Sequence, residues 1–219
     1  MERVLEPELM EDAEQVIAYA LADFEIPHNE FVQRIKAFVN EPTYSGKALD
    51  LGCGPGDISR RFAKAFPLCN IDAVDGSKSM IDCAINSMPP ELQSRLNFIH
   101  GRLPDVALPG SGYDIIFSNS LLHHLPEPQT LWHTVKHYAK LGTRIIIMDL
   151  LRPETTDIAK SMVQMYAADE PEILQRDFYC SLLAAFTLAE INSQIMQAGL
   201  PLNAEQISDR HVLIFGVAN

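Results

Sequence analysis

A turn with three alternating glycines constrains the fold of this chain more than any other feature of its sequence. Residues 49–57 read LDLGCGPGD, in which an apolar run leads directly into Gly52, Gly54 and Gly56. Such a run is typical of a buried strand that continues through a tight turn into a helix. Because glycine has no Cβ, the backbone of this turn can pass close to a bound molecule. The pattern predicts a nucleotide-like cofactor site on an α/β sheet.

The spacing of these glycines distinguishes between two kinds of cofactor. A dinucleotide-binding turn has the pattern GxGxxG, which would place a glycine at position 57. Here Asp57 occupies that position, and the third glycine, Gly56, comes one residue earlier. The turn is therefore less suited to a pyrophosphate than to a ligand without phosphate groups.

Composition narrows the class of partner. The chain has 219 residues, enough for one sizeable α/β domain with a full core. Its formal net charge is −12, and the first 41 residues contain ten acidic and three basic side chains. Because nucleic acids are held by basic surfaces, this charge argues against DNA or RNA as the main partner. Solubility is the simplest explanation for the acidic composition.

The cysteines and the lengths of the apolar runs indicate the cellular location that we expect for the protein. Cys53, Cys69, Cys83 and Cys180 show no paired spacing and no CxxC motif. The N-terminal residues are acidic rather than basic and then apolar, so no signal peptide is expected. No apolar run reaches the length of a membrane span. These features predict a soluble cytoplasmic protein with reduced thiols and no membrane association.

Short apolar runs alternate with helical patterns from position 47 onwards. Strands are predicted at 48–51, 70–74, 96–100, 113–118, 144–150, 203–208 and 212–217. Helices are predicted at 57–66, 78–88, 128–140 and 188–198. This alternation predicts a parallel sheet with helices on both faces. Gly142 is expected at a helix end, whereas Thr187 and Glu190 form a capping box for the last helix, which ends at Gly199.

We expect a single domain over residues 1–219, with four parts. Residues 1–45 form a helical preface or lid, and residues 47–150 form the cofactor-binding core. Residues 152–186 interrupt the alternation and form a helical insert that faces the substrate, because insertions beside strand ends commonly build ligand sites. Residues 187–219 form the closing helix and strands.

The preface shows helical spacing of its apolar residues. This spacing predicts one helix over 8–24, which ends before Pro27, and a second helix over 29–39.

Three segments further along the chain form an ordered set of motifs. Residues 50–56 read DLGCGPG, residues 74–80 read VDGSKSM, and residues 113–125 read YDIIFSNSLLHHL. Together they resemble the first, second and fourth motifs of the class I S-adenosylmethionine-dependent methyltransferases, in their small-molecule branch. The resemblance implies a Rossmann-like, doubly wound and mostly parallel seven-stranded sheet with an antiparallel last strand.

The same resemblance implies an activity. It implies transfer of a methyl group from S-adenosyl-L-methionine to an O, N or C atom of a small metabolite, which leaves S-adenosyl-L-homocysteine. The transfer is an in-line displacement, so the protein mainly aligns the acceptor and excludes water.

The resemblance also implies the residues of the donor site. Asp75 is expected to accept hydrogen bonds from both ribose hydroxyls. Asp50 has two alternative roles: it orients the glycine turn through backbone amides, or it binds the methionyl ammonium. Met80 either packs beside the adenine or belongs to the core. The complete expected set is Asp50, Gly52, Cys53, Gly54, Gly56, Asp75, Gly76, Met80, Arg102, Leu103, Asn119 and Ser120.

One position departs from the family pattern. The family often has an acidic residue after the third strand, which binds the adenine amino group, whereas this chain has Arg102. Arginine cannot accept a hydrogen bond. Either Asp105 reaches the adenine, or the backbone of Arg102 and Leu103 holds it.

A pair of histidines follows the fourth motif strand. His123 is the candidate general base or acceptor-orienting group, and His124 is expected near the substrate. Adjacent residues seldom chelate one ion, and no third ligand is evident nearby, so no metal site is expected. His133 and His137 have the i, i+4 spacing of a zinc motif but lack its glutamate, which favours an exposed helix face.

The insert supplies further substrate candidates. Tyr166, Arg176 and Tyr179 are expected at the acceptor, because an arginine can bind an acidic group and a tyrosine offers a phenol. Acidic residues in the same segment would equally suit a cationic amine, so both acceptor charges stay open.

Two other functions remain as alternatives. A nicotinamide-dependent oxidoreductase could use a similar sheet, although Asp57 and the histidine pair argue against it. A non-catalytic or protein-modifying member of the same fold is the second alternative. We expect a monomer or a homodimer.

Overall fold

Seven strands form one mixed sheet. The computed structural model describes residues 1–7, 9 and 13–219. The strands are β1 (Ser45–Leu51), β2 (Leu68–Asp75), β3 (Leu96–His100), β4 (Tyr113–Asn119), β5 (Ala139–Leu150), β6 (Leu202–Gln206) and β7 (His211–Val217). Their order across the sheet is β3-β2-β1-β4-β5-β7-β6. The first five strands run parallel, and β7 pairs antiparallel with both β5 and β6. The expected sheet with its antiparallel last strand is confirmed.

Helices cover the sheet on both sides. They are α1 (Ala13–Leu21), α2 (Glu25–Val39), α3 (Asp57–Ala65), α4 (Lys78–Asn86), α5 (Gln129–Tyr138), α6 (Thr156–Tyr166), α7 (Glu172–Ala184) and α8 (Leu188–Ala198). Within the described part of the chain, each helix is too short or too polar to cross a bilayer.

Side chains of alternate residues on the central strands pack into two separate hydrophobic cores, one on each face of the sheet. Phe117 on β4 packs with Phe31 of α2 and Phe62 of α3, and the rings of Phe62 and Phe117 stack at 4.6 Å between centroids. The neighbouring Ile116 packs on the opposite face with Trp132 of α5 and residues of α8. This alternation follows from the two-residue period of a strand, and it gives the doubly wound arrangement its two apolar layers.

The insert between β5 and α8 has a small core of its own. Leu150 at the end of β5 packs with Ala159 and Val163 of α6 and with Leu182 of α7. The two insert helices therefore form a unit beside the C-terminal ends of the strands.

Two of the expected helix boundaries are wrong. Pro27 does not end a helix: it lies in the first turn of α2, where the missing N–H costs nothing because first-turn N–H groups have no helical partner. Gly142 does not end α5, which stops at Tyr138. Gly142 lies within β5 with φ of 87°, and its N–H donates to the carbonyl of Ala218.

Other features of the helices agree with expectation. Thr187 and Glu190 form the complete capping box of α8, and Gly199 ends that helix in the left-handed conformation. Four residues of the predicted first helix, at positions 8 and 10–12, lie outside the described residues.

Replacing Trp132 with alanine tests the packing of α5 against α8. Trp132 is fully buried, and its indole N–H donates to Gln194 of α8 at 3.2 Å. We expect the Trp132→Ala variant to lose about 3–5 kcal/mol of unfolding free energy in urea titrations, because truncation leaves a cavity. Met196 on the same α8 is 77% exposed, so Met196→Ala should change stability by less than about 0.5 kcal/mol. Equal small losses in both variants would contradict this packing.

Candidate active site

The glycine turn between β1 and α3 adopts a conformation that requires glycine. Gly52, Gly54 and Gly56 have φ values of 73°, 52° and 79°. A Cβ on Gly52 would clash with Leu121, and one on Gly56 would clash with Phe98. A Cβ on Gly54 would meet nothing within 4 Å. Gly54 therefore exposes bare backbone to open space, while its neighbours are fixed by close packing.

The carboxylate of Asp75 connects this turn to the end of β2. Its Oδ2 accepts a hydrogen bond from the Gly54 N–H at 2.8 Å, and its Oδ1 accepts one from the Ser77 N–H at 2.8 Å. Burial raises the pKa of Asp75, and the two N–H donors oppose that rise. Each oxygen keeps a second lone pair for a ligand.

Asp50 does not have the turn-orienting role that was one of its two alternatives. Its Oδ2 accepts a hydrogen bond from Ser59 of α3 at 2.5 Å. Burial raises the pKa of Asp50 to about 7. Asp75, rather than Asp50, receives an amide of the turn.

A cavity of about 700 Å³ opens beside the C-terminal ends of the parallel strands. Of the residues expected around the donor, all but one line it. The lining members are Asp50, Gly52, Cys53, Gly54, Asp75, Gly76, Met80, Arg102, Leu103, Asn119 and Ser120. Gly56 is not among the lining residues, because it packs against Phe98 below the turn. The fold thus brings together residues from four separate segments of the chain.

The cavity wall after β3 is formed by Arg102 and Leu103. Asp105, the alternative partner for an adenine, is exposed and is not among the residues that line the cavity. Met80 is buried and also lines the cavity. Its position is therefore compatible with both of its alternative roles, packing in the core and packing beside an adenine.

Asn119, which lines the cavity, contains a buried polar atom without a hydrogen-bond partner. Its amide nitrogen donates to Ser120 Oγ at 3.1 Å, whereas its Oδ1 is buried without a hydrogen-bond partner. A buried acceptor without a donor is costly, so this atom favours a ligand that brings an N–H or O–H group.

His123 is buried at the cavity wall and is held by a carboxylate. Its Nδ1 lies 2.5 Å from Asp149 Oδ1 at the end of β5. Asp149 also accepts hydrogen bonds from the backbone N–H groups of Leu122 and Leu150, each at 2.7 Å. Burial lowers the pKa of His123, but the Asp149 carboxylate outweighs it, so the pKa is raised overall. Despite its burial, Asp149 has a lowered pKa because of His123 and the N–H donors.

A third residue, Glu6, meets both histidines, and sequence reasoning missed it. Glu6 Oε1 lies 3.5 Å from His123 Nε2 and 3.3 Å from His124 Nδ1. Its other oxygen accepts a hydrogen bond from Ser181 of α7 at 3.2 Å. Burial raises the pKa of Glu6, whereas burial and the neighbouring His123 lower the pKa of His124 to about 3. Sequence reasoning found no third candidate ligand near the histidine pair, whereas the structure places the Glu6 carboxylate beside both histidines.

The N-terminal residues are tied to the same corner. The Arg3 guanidinium donates to the carbonyls of His123 and Leu125 at 2.8 and 3.0 Å. It also lies 3.8 Å above the ring of Phe186. Val4 donates its backbone N–H to Leu183 at the end of α7. These contacts carry Glu6 to the histidines, although no local sequence motif marks it.

The insert reaches the cavity through one face of α7. Leu174, Asp177, Phe178 and Ser181, which share a helical face, line the cavity. Arg176 and Tyr179 are not among the lining residues. The Arg176 side chain is exposed and lies 3.3 Å from the Asp177 carboxylate. Tyr179 packs against the small core of the insert.

Tyr166 at the end of α6 does line the cavity, as expected. Its hydroxyl donates to Asp209 at 2.6 Å, and the Arg210 guanidinium lies 3.4 Å above its ring. Two residues of the loop before β7 thereby hold the side chain of Tyr166 in place.

The first two helices add residues that sequence reasoning did not select. Tyr19, Phe24 and His28 line the cavity opposite the strand ends. His28 Nδ1 lies 2.7 Å from Asp57 at the start of α3, which joins α2 to the glycine turn. Burial, with a smaller contribution from the Asp75 charge, raises the pKa of Tyr19 to about 12. A helix with a 3.6-residue apolar pattern gives no sign of which residues face a ligand.

Part of the chain is similar to known methyltransferases. Residues 48–142 match a family described as a methyltransferase domain. Trans-aconitate 2-methyltransferase of Klebsiella pneumoniae is 30% identical over 131 residues, which cover 58% of this chain and 47% of that protein. The mitochondrial ubiquinone biosynthesis O-methyltransferase of Schizosaccharomyces pombe is 29% identical over 120 residues, covering 53% and 43%. The chain spans about half the length of these curated relatives.

Solved structures share the whole fold. The plantazolicin methyltransferase BpumL, solved with a monoazolic desmethylPZN analogue and S-adenosylhomocysteine, aligns with a TM-score of 0.72 and 17% identity, covering 94% of this chain and 90% of that one. A SAM-dependent methyltransferase from Aquifex aeolicus aligns with a TM-score of 0.69 and 15% identity, covering 96% and 100%. Residues 48–142 thus match a methyltransferase domain, and the fold of nearly the whole chain is shared with these solved methyltransferases.

Proposed function

We propose that this protein binds S-adenosyl-L-methionine and transfers its methyl group to a small metabolite. The observation that carries the proposal is the glycine turn, whose Gly54 backbone faces open space and is fixed by the Asp75 carboxylate. The matched methyltransferase domain contains both residues.

The chemistry of the cavity suits this donor. Asp75 keeps free lone pairs for the ribose hydroxyls, and Asn119 Oδ1 is a buried acceptor without a donor. Asp50, with its pKa near 7, is available to the methionyl ammonium, whose positive charge favours the ionised carboxylate. The backbone at Arg102 and Leu103 is our candidate for holding the adenine. Once bound, the donor supplies an activated methyl group, and the protein then has to align an acceptor with it.

The acceptor half of the cavity lies between the histidine pair and the helices α1, α2 and α7. Tyr19, Phe24 and Phe178 give it aromatic walls, as is common in sites for small organic molecules. Several relatives are named O-methyltransferases, which supports an oxygen acceptor. Asp177 and Glu170 among the lining residues support an acceptor without a strong negative charge.

The buried pair of His123 and Asp149 is the candidate group that acts on the acceptor. Asp149 fixes the tautomer of His123, since Nδ1 donates to the carboxylate and the lone pair then stays on Nε2. In that state His123 either accepts a proton from the acceptor or orients it.

We also propose a cellular compartment and a class of partner for the protein. All four cysteines are free, which supports a reducing compartment such as the cytoplasm. The acidic composition supports a partner other than nucleic acid.

Calorimetry with S-adenosylmethionine and with NAD tests the donor directly. We expect binding of S-adenosylmethionine and of S-adenosylhomocysteine but no binding of NAD. A screen of small metabolites with a labelled methyl donor then tests turnover. Binding of NAD alone would refute the proposal in favour of an oxidoreductase.

Replacing Asp75 tests the register of the donor site. We expect Asp75→Ala to weaken the binding of S-adenosylmethionine at least about 100-fold in calorimetry, because each hydrogen bond to a charged group contributes about 1.5–3 kcal/mol. Asp82→Ala is the matched control, since Asp82 is exposed on α4 and pairs with Lys78 at the surface. Unchanged affinity in a folded Asp75→Ala variant would show that another residue holds the ribose.

Replacing His123 separates the acceptor step from donor binding. We expect His123→Ala to lower turnover about 100- to 10,000-fold, the usual range for a group that transfers a proton, while donor affinity stays close to wild type. His123→Asn retains a donor towards Asp149 and serves to exclude a purely structural loss. If turnover and donor affinity fell equally in both variants, His123 would have no specific part in the reaction.

A further inference from the structure

We propose that Glu6, His123 and His124 form a binding site for a divalent transition-metal ion of the zinc type. Glu6 Oε1, His123 Nε2 and His124 Nδ1 lie within 4.8 Å of one another. Two imidazole nitrogens and one carboxylate oxygen are a ligand set that zinc uses in catalytic sites with an open position. The binding of the ion does not depend on the proposed methyl transfer.

The two distances from Glu6 Oε1 to the histidine nitrogens suit a shared ion better than direct hydrogen bonds. A charge-assisted N–H···O bond has a length of about 2.7–2.9 Å. Glu6 Oε1 lies farther than this from both histidine nitrogens, at 3.5 and 3.3 Å. Ligand atoms about 2.0–2.1 Å from a tetrahedral zinc ion are separated by about 3.3 Å, which is close to these two distances.

Two of the three proposed ligand atoms are buried and form no hydrogen bond. The side chain of Glu6 is 7% exposed and that of His123 is 3% exposed. Glu6 Oε1 and His124 Nδ1 are both buried and lack any hydrogen-bond partner. Buried polar atoms are normally satisfied, so a common partner for these two atoms is the simplest physical explanation.

The surroundings of the three residues resemble the outer shell of a metal site. Metal-binding histidines commonly donate their second ring nitrogen to a carboxylate, which is the relation of His123 Nδ1 to Asp149. The remaining oxygen of Glu6 is held by Ser181. Two carboxylates, Glu6 and Asp149, and one guanidinium, that of Arg3, lie around the histidine pair.

An ion at this position would act on the acceptor rather than on the methyl donor. Both histidines line the cavity, so a molecule within it lies beside the proposed site. A zinc-type ion binds and polarises oxygen atoms. In the ion-bound state the lone pair of His123 Nε2 serves the ion, so of the two proposed roles of His123 only orientation of the acceptor, through the ion, remains. This last step rests on the proposed function.

Zinc titration of the metal-depleted protein, without any affinity tag, tests the site. We expect the wild type to bind one Zn²⁺ per chain in competition with a chromophoric chelator. Glu6→Gln and His124→Ala should each lower the affinity at least about 100-fold, since even the loss of an outer-shell partner costs about 10- to 100-fold. Asp149→Asn should fall within that outer-shell range.

The exposed histidines of α5 provide the matched control. His133 and His137 are spaced like a zinc motif but lie at the surface. The His133→Ala, His137→Ala double variant should bind Zn²⁺ as the wild type does. Co²⁺ added to the wild type should give the visible absorption of a four- or five-coordinate nitrogen and oxygen site, a reading that needs no variant.

Three outcomes would overturn the metal site. They are no Co²⁺ absorption together with no Zn²⁺ binding in the wild type, unchanged Zn²⁺ affinity in folded Glu6→Gln and His124→Ala variants, and loss of the bound ion in the double variant. Calorimetry of S-adenosylmethionine on the same samples reports donor binding separately, so failure of the metal site and failure of the proposed function are distinguishable.

Discussion

The carboxylate of Asp75 accepts hydrogen bonds from two loops at once, and the geometry of the donor half depends on it. Gly54 belongs to the turn after β1, and Ser77 caps α4 after β2. By holding both amides, one side chain fixes the distance between the two adjacent strand ends. The open backbone at Gly54 is then rigid before any ligand arrives. A preorganised site of this kind loses little entropy on binding, which helps the binding of a flexible donor.

The acceptor half is built on a different principle. Its central histidine, His123, receives support from Asp149 on β5, while Glu6 comes from a segment that is remote in the chain. Arg3 brings that segment into place by binding backbone carbonyls around the histidine pair. The polar atoms on this side are buried but incompletely bonded. In the donor half the Asp75 carboxylate is hydrogen-bonded to two backbone amides, whereas around the histidine pair Glu6 Oε1 and His124 Nδ1 lack a hydrogen-bond partner.

Most of the donor site could be predicted from sequence, because it consists of strand ends and their following turns. The period of the apolar residues gives the strands, and parallel strands bring Asp75, Asn119 and the glycine turn to one edge. Glu6 could not be found in this way, since its contact with His123 is long-range and no local pattern encodes it. Arg176 was selected for its chemistry, but one position along a helix rotates a side chain by about 100°, and Asp177 faces the cavity instead. Gly142 was misjudged because a left-handed glycine also suits an irregular strand.

The separate core of the α6–α7 insert has a consequence for how such proteins diverge. Among the described residues, this core takes only Leu150 from the strands and otherwise consists of insert residues. Substitutions there leave the packing on the two faces of the sheet intact. The far wall of the cavity can therefore be remodelled during evolution while the donor half keeps its sequence. This modularity lets the chemistry of that wall change without disturbing the sheet.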